Sequence, residues 1–149
     1  MKDQIIYDVC RVNKCSDALS RLIIAQAMHE TANFTSGLAR DDNNYFGMKV
    51  PKYRKTNYIF GPSVKHNPPS NEGRGKYASY LTIANSVCDL LNWLSYKGFN
   101  FDIKTADEYC KFLINHAYTN NLALYTSAIK SNLERIKNKN YEREYNKIA

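Results

Sequence analysis

The chain has 149 residues, which bounds it to one domain with room for a real core. Hydrophobic residues make up 44 % of it, so an intrinsically disordered chain is excluded. Lys plus Arg number 21 against 14 Asp plus Glu, a net charge of +7; this suits a polyanion (nucleic acid, anionic cell wall or a membrane surface) and equally serves plain solubility.

Residues 3–13 read as a short helix with Ile5, Ile6 and Val9 on one side. Ser16 suits the cap of a second helix, and Asp17 favours its positive end. That helix carries Ala18, Leu19, Leu22, Ile23, Ile24, Ala25, Ala27 and Met28, the apolar run of a core helix, and ends near Glu30. Asn33 to Asn44 is polar, contains Gly37 and the run Asp41-Asp42-Asn43-Asn44, and reads as a loop. Between about 50 and 80, Gly61, Pro62, Pro68, Pro69, Gly73 and Gly75 break any helix. Tyr58-Ile59-Phe60 and Lys76-Tyr77-Ala78-Ser79-Tyr80 suit short strands there, so a small irregular β lobe is expected. A cleft between such a lobe and a helical body is a natural ligand site.

Helical periodicity returns at Thr82, with Ile83, Val87, Leu90, Leu91 and Leu94 along one stripe, and Gly98 stops it. Thr105-Ala106-Asp107-Glu108 is a capping box that opens a helix carrying Tyr109, Phe112, Leu113 and Ala117. A last helix is expected from about Leu122 to Lys137, with Tyr125, Ala128, Ile129, Leu133 and Ile136 inward. The basic tail from about 138 to 149, including NKNYEREYNKIA, reads as frayed. The expected fold class is therefore mainly α (α+β), one domain over 1–149, with a helical body, a small β lobe and a cleft between them.

Cys10, Cys15, Cys88 and Cys110 form no CxxC pair. Cys88 and Cys110 sit in apolar helical patterns and read as small hydrophobes; Cys10 and Cys15 are expected as reduced thiols that an oxidising setting could bridge. His29-Glu30 starts like the zinc-protease pattern, but position 33 is Asn, and His66 and His116 have no partner at ligand spacing. Neither a metal nor another cofactor is expected. No stretch approaches the roughly 18 apolar residues of a membrane span. The opening MKDQIIYDVCRVNK lacks a long apolar segment and a small-residue cleavage site, so no signal peptide is expected.

Glu30 is the residue that points to chemistry. A carboxyl at the end of a buried helix is costly unless it is paired, solvated at a cleft, or protonated. In the last state it can donate a proton near neutral pH.

Two segments around it resemble the glucosaminidase family of bacterial cell-wall hydrolases, which includes flagellar-rod muralytic enzymes, autolysins and phage lysins. They are Ala25-Gln26-Ala27-Met28-His29-Glu30-Thr31 and, after a loop, Asn44-Tyr45-Phe46-Gly47-Met48-Lys49. Tyr77-Ala78-Ser79-Tyr80 followed by Ser86 and Asp89 is similar to a further family block, with the serine spacing one residue longer than usual. Tyr118-Thr119-Asn120-Asn121 followed by Tyr125 resembles the family's active-site tyrosine segment, with Ala117 in place of a glycine and Asn in place of an Asp.

The resemblance implies a lysozyme-like fold with Glu30 as the catalytic acid. It implies a second carboxylate in the β lobe, for which Glu72 is the only Asp or Glu between residues 43 and 88. Alternatively the substrate's own N-acetyl group attacks with a tyrosine nearby, the position of Tyr118. Asn44, Tyr45, Phe46, Gly47, Tyr77, Tyr80 and Tyr125 are the expected substrate-binding residues; Phe46 equally suits packing, and Gly47 a turn that a side chain would block. The implied partner is the peptidoglycan glycan strand, cut as an N-acetylglucosaminidase would cut it, by a monomer. Nucleic acid and membrane insertion are not expected, since no nucleic-acid motif is present and the basic residues are dispersed along the chain. A muramidase or lytic transglycosylase on the same fold is the alternative, and a non-catalytic wall-binding or virion structural module the alternative of another class. Action on the wall would then follow release by lysis, carriage in a virion, or a place within a longer exported chain.

Overall fold

The computed structural model describes residues 1–67, 75–116 and 121–149. Among these residues the chain is mainly helical with a small β part: α1 Lys2–Val12, α2 Asp17–Glu30, α3 Gly37–Asp42, β1 Gly61–Pro62, β2 Ala78–Ser79, α4 Ile83–Tyr96, α5 Ala106–Asn115, α6 Leu122–Ile136 and α7 Tyr141–Asn146. No helix among them is long and apolar enough to cross a membrane.

α2 lies between α1 and α6, while α4 and α7 pack on α1 and α5 packs on α6. The run Leu22 to Met28 is buried without a break, with α1 and α6 both packed against the helix. A helix apolar on all sides belongs in the middle of a core. Truncating Ile23 or Ile24 to Ala costs about 2–5 kcal/mol at such a site. Ser16 caps α2 as its side chain predicts, its Oγ accepting from the Leu19 amide at 3.1 Å. Thr82, Thr105 and Asn121 cap α4, α5 and α6 in the same way.

The end of α2 is abrupt. Ala32, Asn33 and Phe34 have φ of 48°, 59° and 69°, three left-handed residues in a row. Such a conformation costs a non-glycine residue about 1–2 kcal/mol. Thr31 holds the turn: its hydroxyl donates to the Ala27 carbonyl at 2.6 Å and accepts from the Phe34 amide at 2.7 Å. The chain reverses one residue after Glu30, and Phe34 comes back to meet the Tyr45 ring at 6.0 Å.

Three sequence expectations need correction. The polar stretch from Asn33 to Asn44 is not all loop; Ser36 caps the short helix α3. In the β lobe, the paired residues are Gly61–Pro62 against Ala78–Ser79, with a bridge from Lys49 to Tyr77, rather than a strand at Tyr58–Phe60. Pro62 has no amide hydrogen and limits the ladder. The tail is docked rather than frayed. Tyr141 stacks on Tyr7 at 5.1 Å and gives its hydroxyl hydrogen to Asp3 Oδ2 at 2.9 Å, while Arg11 pairs with Glu142. All four cysteines are free thiols, with Cys10, Cys15 and Cys110 buried.

Candidate active site

The loop after α3 is built on Asn44. Its amide nitrogen donates to the carbonyls of Met48 and Ala78, each at 2.8 Å, and its Oδ1 accepts from the Met48 amide at 3.1 Å. One buried side chain thus replaces several strand hydrogen bonds and fixes residues 44–48 against β2. Ser86 on α4 accepts the Tyr45 amide at 3.1 Å. Gly47 takes φ +65° inside this turn.

A second cluster ties the β lobe to α4. Asp89 is fully buried and Arg54 has only 5 % of its side chain exposed. Arg54 Nη1 donates to Asp89 Oδ1 at 2.7 Å and to Asn92 at 2.6 Å. Thr56 donates to Asp89 Oδ1 at 2.7 Å and the Tyr80 hydroxyl to Oδ2 at 2.5 Å. Burial, with Asp89 beside it, drives the Tyr80 phenol far above its ordinary range. Buried charge is tolerated here because each carboxylate oxygen is met by donors.

These two constructions frame a cleft of about 550 Å³. Its floor includes Glu30, Phe46 and Gly47. Its β side is Met48 to Arg54 with Tyr77, and its helical side is Trp93, Tyr96, Lys97 and His116. Among the described residues Glu30 is the one carboxylate that lines it. The Tyr125 hydroxyl donates to Glu30 Oε1 at 2.9 Å, and the Tyr125 ring rests edge-on against His29 at 4.9 Å. A Cβ on Gly47 would lie 3.7 Å from Glu30 Oε2, so the absent side chain leaves that oxygen open on the Gly47 side. Burial pushes the Glu30 carboxyl above the ordinary glutamate value of 4.5, and the Tyr125 hydrogen bond pulls it partly back. Among the described residues, no group of three or more His, Cys, Asp and Glu side chains is arranged to hold a metal.

The expected site residues separate into three sets. Glu30, Phe46, Gly47 and Tyr77 line the cleft, and Tyr125 touches it through Glu30. Asn44, Tyr45 and Tyr80 are buried and line no part of it, which corrects their reading as contact residues: Asn44 and Tyr80 spend their polar atoms on the frame, and Tyr45 packs in the core. Glu72 and Tyr118 lie outside the described residues. The sequence reading missed Arg54, Trp93, Tyr96 and Lys97. The chain's one Trp and Tyr96 fall off the apolar stripe of α4 at i, i+3 spacing, and that was the available signal.

A protonatable carboxyl on the floor of an open groove with aromatic walls is an arrangement that glycoside cleavage uses. The sequence profile of the glucosaminidase family, described as mannosyl-glycoprotein endo-beta-N-acetylglucosaminidase, matches residues 8–148. The chain belongs to this family, which makes it a glycoside hydrolase by class. Its fold is similar to a chain in the "Structure of a type VI secretion system effector-immunity complex from Pseudomonas protegens", with a TM-score of 0.60 and 16 % identity over 87 % of this chain and 86 % of that one. At that identity the likeness concerns the fold alone. No curated protein matches the sequence.

Proposed function

We propose that the protein cleaves the β-1,4 glycan backbone of bacterial peptidoglycan as an N-acetylglucosaminidase, with Glu30 as general acid. The observation that carries this reading is the Glu30 carboxyl, half-buried in the cleft lining and raised in pKa by that desolvation, with one oxygen held by Tyr125. In the protonated state it gives its hydrogen to the leaving glycosidic oxygen as positive charge develops on the sugar. Tyr125 then stabilises the carboxylate that remains, since its hydrogen bond is stronger to the charged form. Tyr77 and Trp93 offer ring surfaces to the sugar faces, while the fully buried Phe46 packs beneath the cleft as a core ring.

Glu72 is the proposed second carboxylate, acting on the opposite face of the ring. The rival route uses the substrate's N-acetyl oxygen as nucleophile, assisted by Tyr118. The two separate by experiment: Glu72→Gln abolishes turnover in the first and leaves it largely intact in the second, where Tyr118→Phe is the damaging change. The enzyme's role as a lysin, released by lysis or carried in a virion, belongs to the same proposal.

The test is digestion of purified wall followed by mass spectrometry of the new ends. N-acetylglucosamine at the reducing end is the expected product. N-acetylmuramic ends would assign a muramidase, and anhydromuramic ends a transglycosylase. A wild-type protein that sediments with wall and releases nothing would be a binding module.

A further inference from the structure

In sequence the basic residues are dispersed, but the fold brings Lys49, Lys52 and Lys97 to one cleft. Each of these ammonium groups lies over a tyrosine that lines the same cleft. Lys49 Nζ is 5.8 Å from the centre of the Tyr77 ring, Lys52 Nζ 5.5 Å from that of Tyr53, and Lys97 Nζ 5.6 Å from that of Tyr96. Among the described residues none of the three is ion-paired with a carboxylate. Arg54, the other strong cation of the lining, is buried and committed to Asp89. Tyr53 and Tyr96 are 77 % and 57 % exposed, so these rings are open to a ligand. The pattern sets positive charge beside exposed tyrosine rings, Tyr53 on the β side and Tyr96 on the helical side of one groove. A neutral amino-sugar chain needs the rings but gives the ammonium groups nothing to pair with. An acidic glycan uses both.

We infer that this cleft selects glycan strands that carry negative charge over neutral strands of the same backbone, and that Lys49, Lys52 and Lys97 are the residues that read the charge. This rests on the glycan-cleaving reading of the same cleft. The lysines act along the groove rather than on the acid: the Glu30 carboxyl is shifted by burial and by Tyr125. The anionic group is either the carboxylate of muramoyl and stem-peptide units or the phosphodiester of a wall-linked polymer. Both offer oxygens to an ammonium, and the experiment tells them apart.

Binding is measured with the Glu30→Gln protein by co-sedimentation with purified wall, so that the readout does not depend on turnover. Three preparations are compared: untreated wall, wall with its carboxylates amidated, and wall stripped of phosphodiester polymers. Each exposed ion pair contributes about two- to fivefold in binding, so the three together give a loss of roughly ten- to a hundredfold on neutralisation at low salt, shrinking as salt rises. Loss on amidation assigns the carboxylate, and loss on stripping assigns the phosphodiester. Replacing Lys49, Lys52 and Lys97 together by Gln reproduces that loss on untreated wall, and the variant and its parent converge on neutralised wall. Replacement by Arg, which keeps the charge, restores binding and controls for misfolding. A matching Gln triple at Lys14, Lys104 and Lys111, exposed and outside the cleft, falls by much less.

Binding that is unchanged by both treatments, equal losses from the two Gln triples, or no binding to any wall would each overturn the inference. The glycan-cleaving reading fails separately. A wild-type protein that releases no reducing ends, while the Glu30→Gln protein still binds in a charge-dependent way, ends the enzyme and keeps the selectivity.

Discussion

Asp89 and Glu30 are two carboxyl groups on core helices of one molecule, and their surroundings differ in kind. Asp89 is sealed from solvent and met by a guanidinium and two hydroxyls. Glu30 is withdrawn from water at the end of its helix, with a donated hydrogen bond from Tyr125 on one oxygen and open space beside Gly47 at the other. The first arrangement spends the charge on holding the β lobe to α4. The second raises the carboxyl's proton affinity and leaves it facing a groove. Desolvation with few donors is what raises the proton affinity of Glu30.

The comparison breaks most visibly in activity and stability. Glu30→Gln is expected to reduce the release of reducing ends by about 10²–10⁴-fold, the range for a lost general acid. The same change is expected to stabilise the fold. A carboxyl whose folded pKa is raised favours the folded state while protonated, and that contribution is lost as pH rises through the folded pKa, above 4.5. Thermal unfolding should therefore show a higher midpoint for Glu30→Gln at pH 7 and no gain at pH 4. Asp89→Ala should do the reverse, destabilising by about 3–5 kcal/mol because Arg54 is left buried and unpaired. Denaturant titration of Asp89→Ala against the double change with Arg54→Met tests this, since removing both partners should cost less than removing one.

Smaller effects sharpen the picture of Glu30. Gly47→Ala places a methyl group 3.7 Å from Oε2 and strains a residue at φ +65°. It should cost about 1–2 kcal/mol of stability and lower kcat/KM more than that loss explains. Tyr125→Phe removes the hydrogen bond that favours the carboxylate, so the Glu30 pKa rises and the alkaline fall in activity moves to higher pH. The smallest effect lies far from the cleft, at Asp3. Burial would raise its pKa, but hydrogen bonds with Lys139, the N-terminal amine and Tyr141 outweigh that and hold it well below the ordinary aspartate value of 3.8. Its contribution is present above that value and lost as pH falls below it, so Asp3→Asn should narrow the stability difference between pH 7 and pH 3.

What the sequence made legible was local. Ser16 and Thr105 announced their helices because a cap acts on the three residues after it. Glu30 was legible because the apolar run of α2 ends there. The frame of the site was not, because its partners are distant in the chain. Asp89 meets Arg54 from 35 residues away, in a stretch with no helical or strand period. Asn44 looked like a contact residue because nothing in its neighbourhood foretells that it will bond Ala78, 34 residues on. The docked tail did carry a signal: Tyr141 and Tyr145 stand four residues apart and share one helix face, where both meet Tyr7. Charge density in the tail masked it.

Desolvation at the end of α2 raises the proton affinity of Glu30. The direct measurement is a carbon-13 NMR titration of the glutamate side chains, with Glu30→Gln assigning the resonance. An apparent pKa above 4.5 that rises further in Tyr125→Phe is the predicted result. A Glu30 that titrates at or below 4.5, and does not respond to the loss of the Tyr125 hydroxyl, would contradict it.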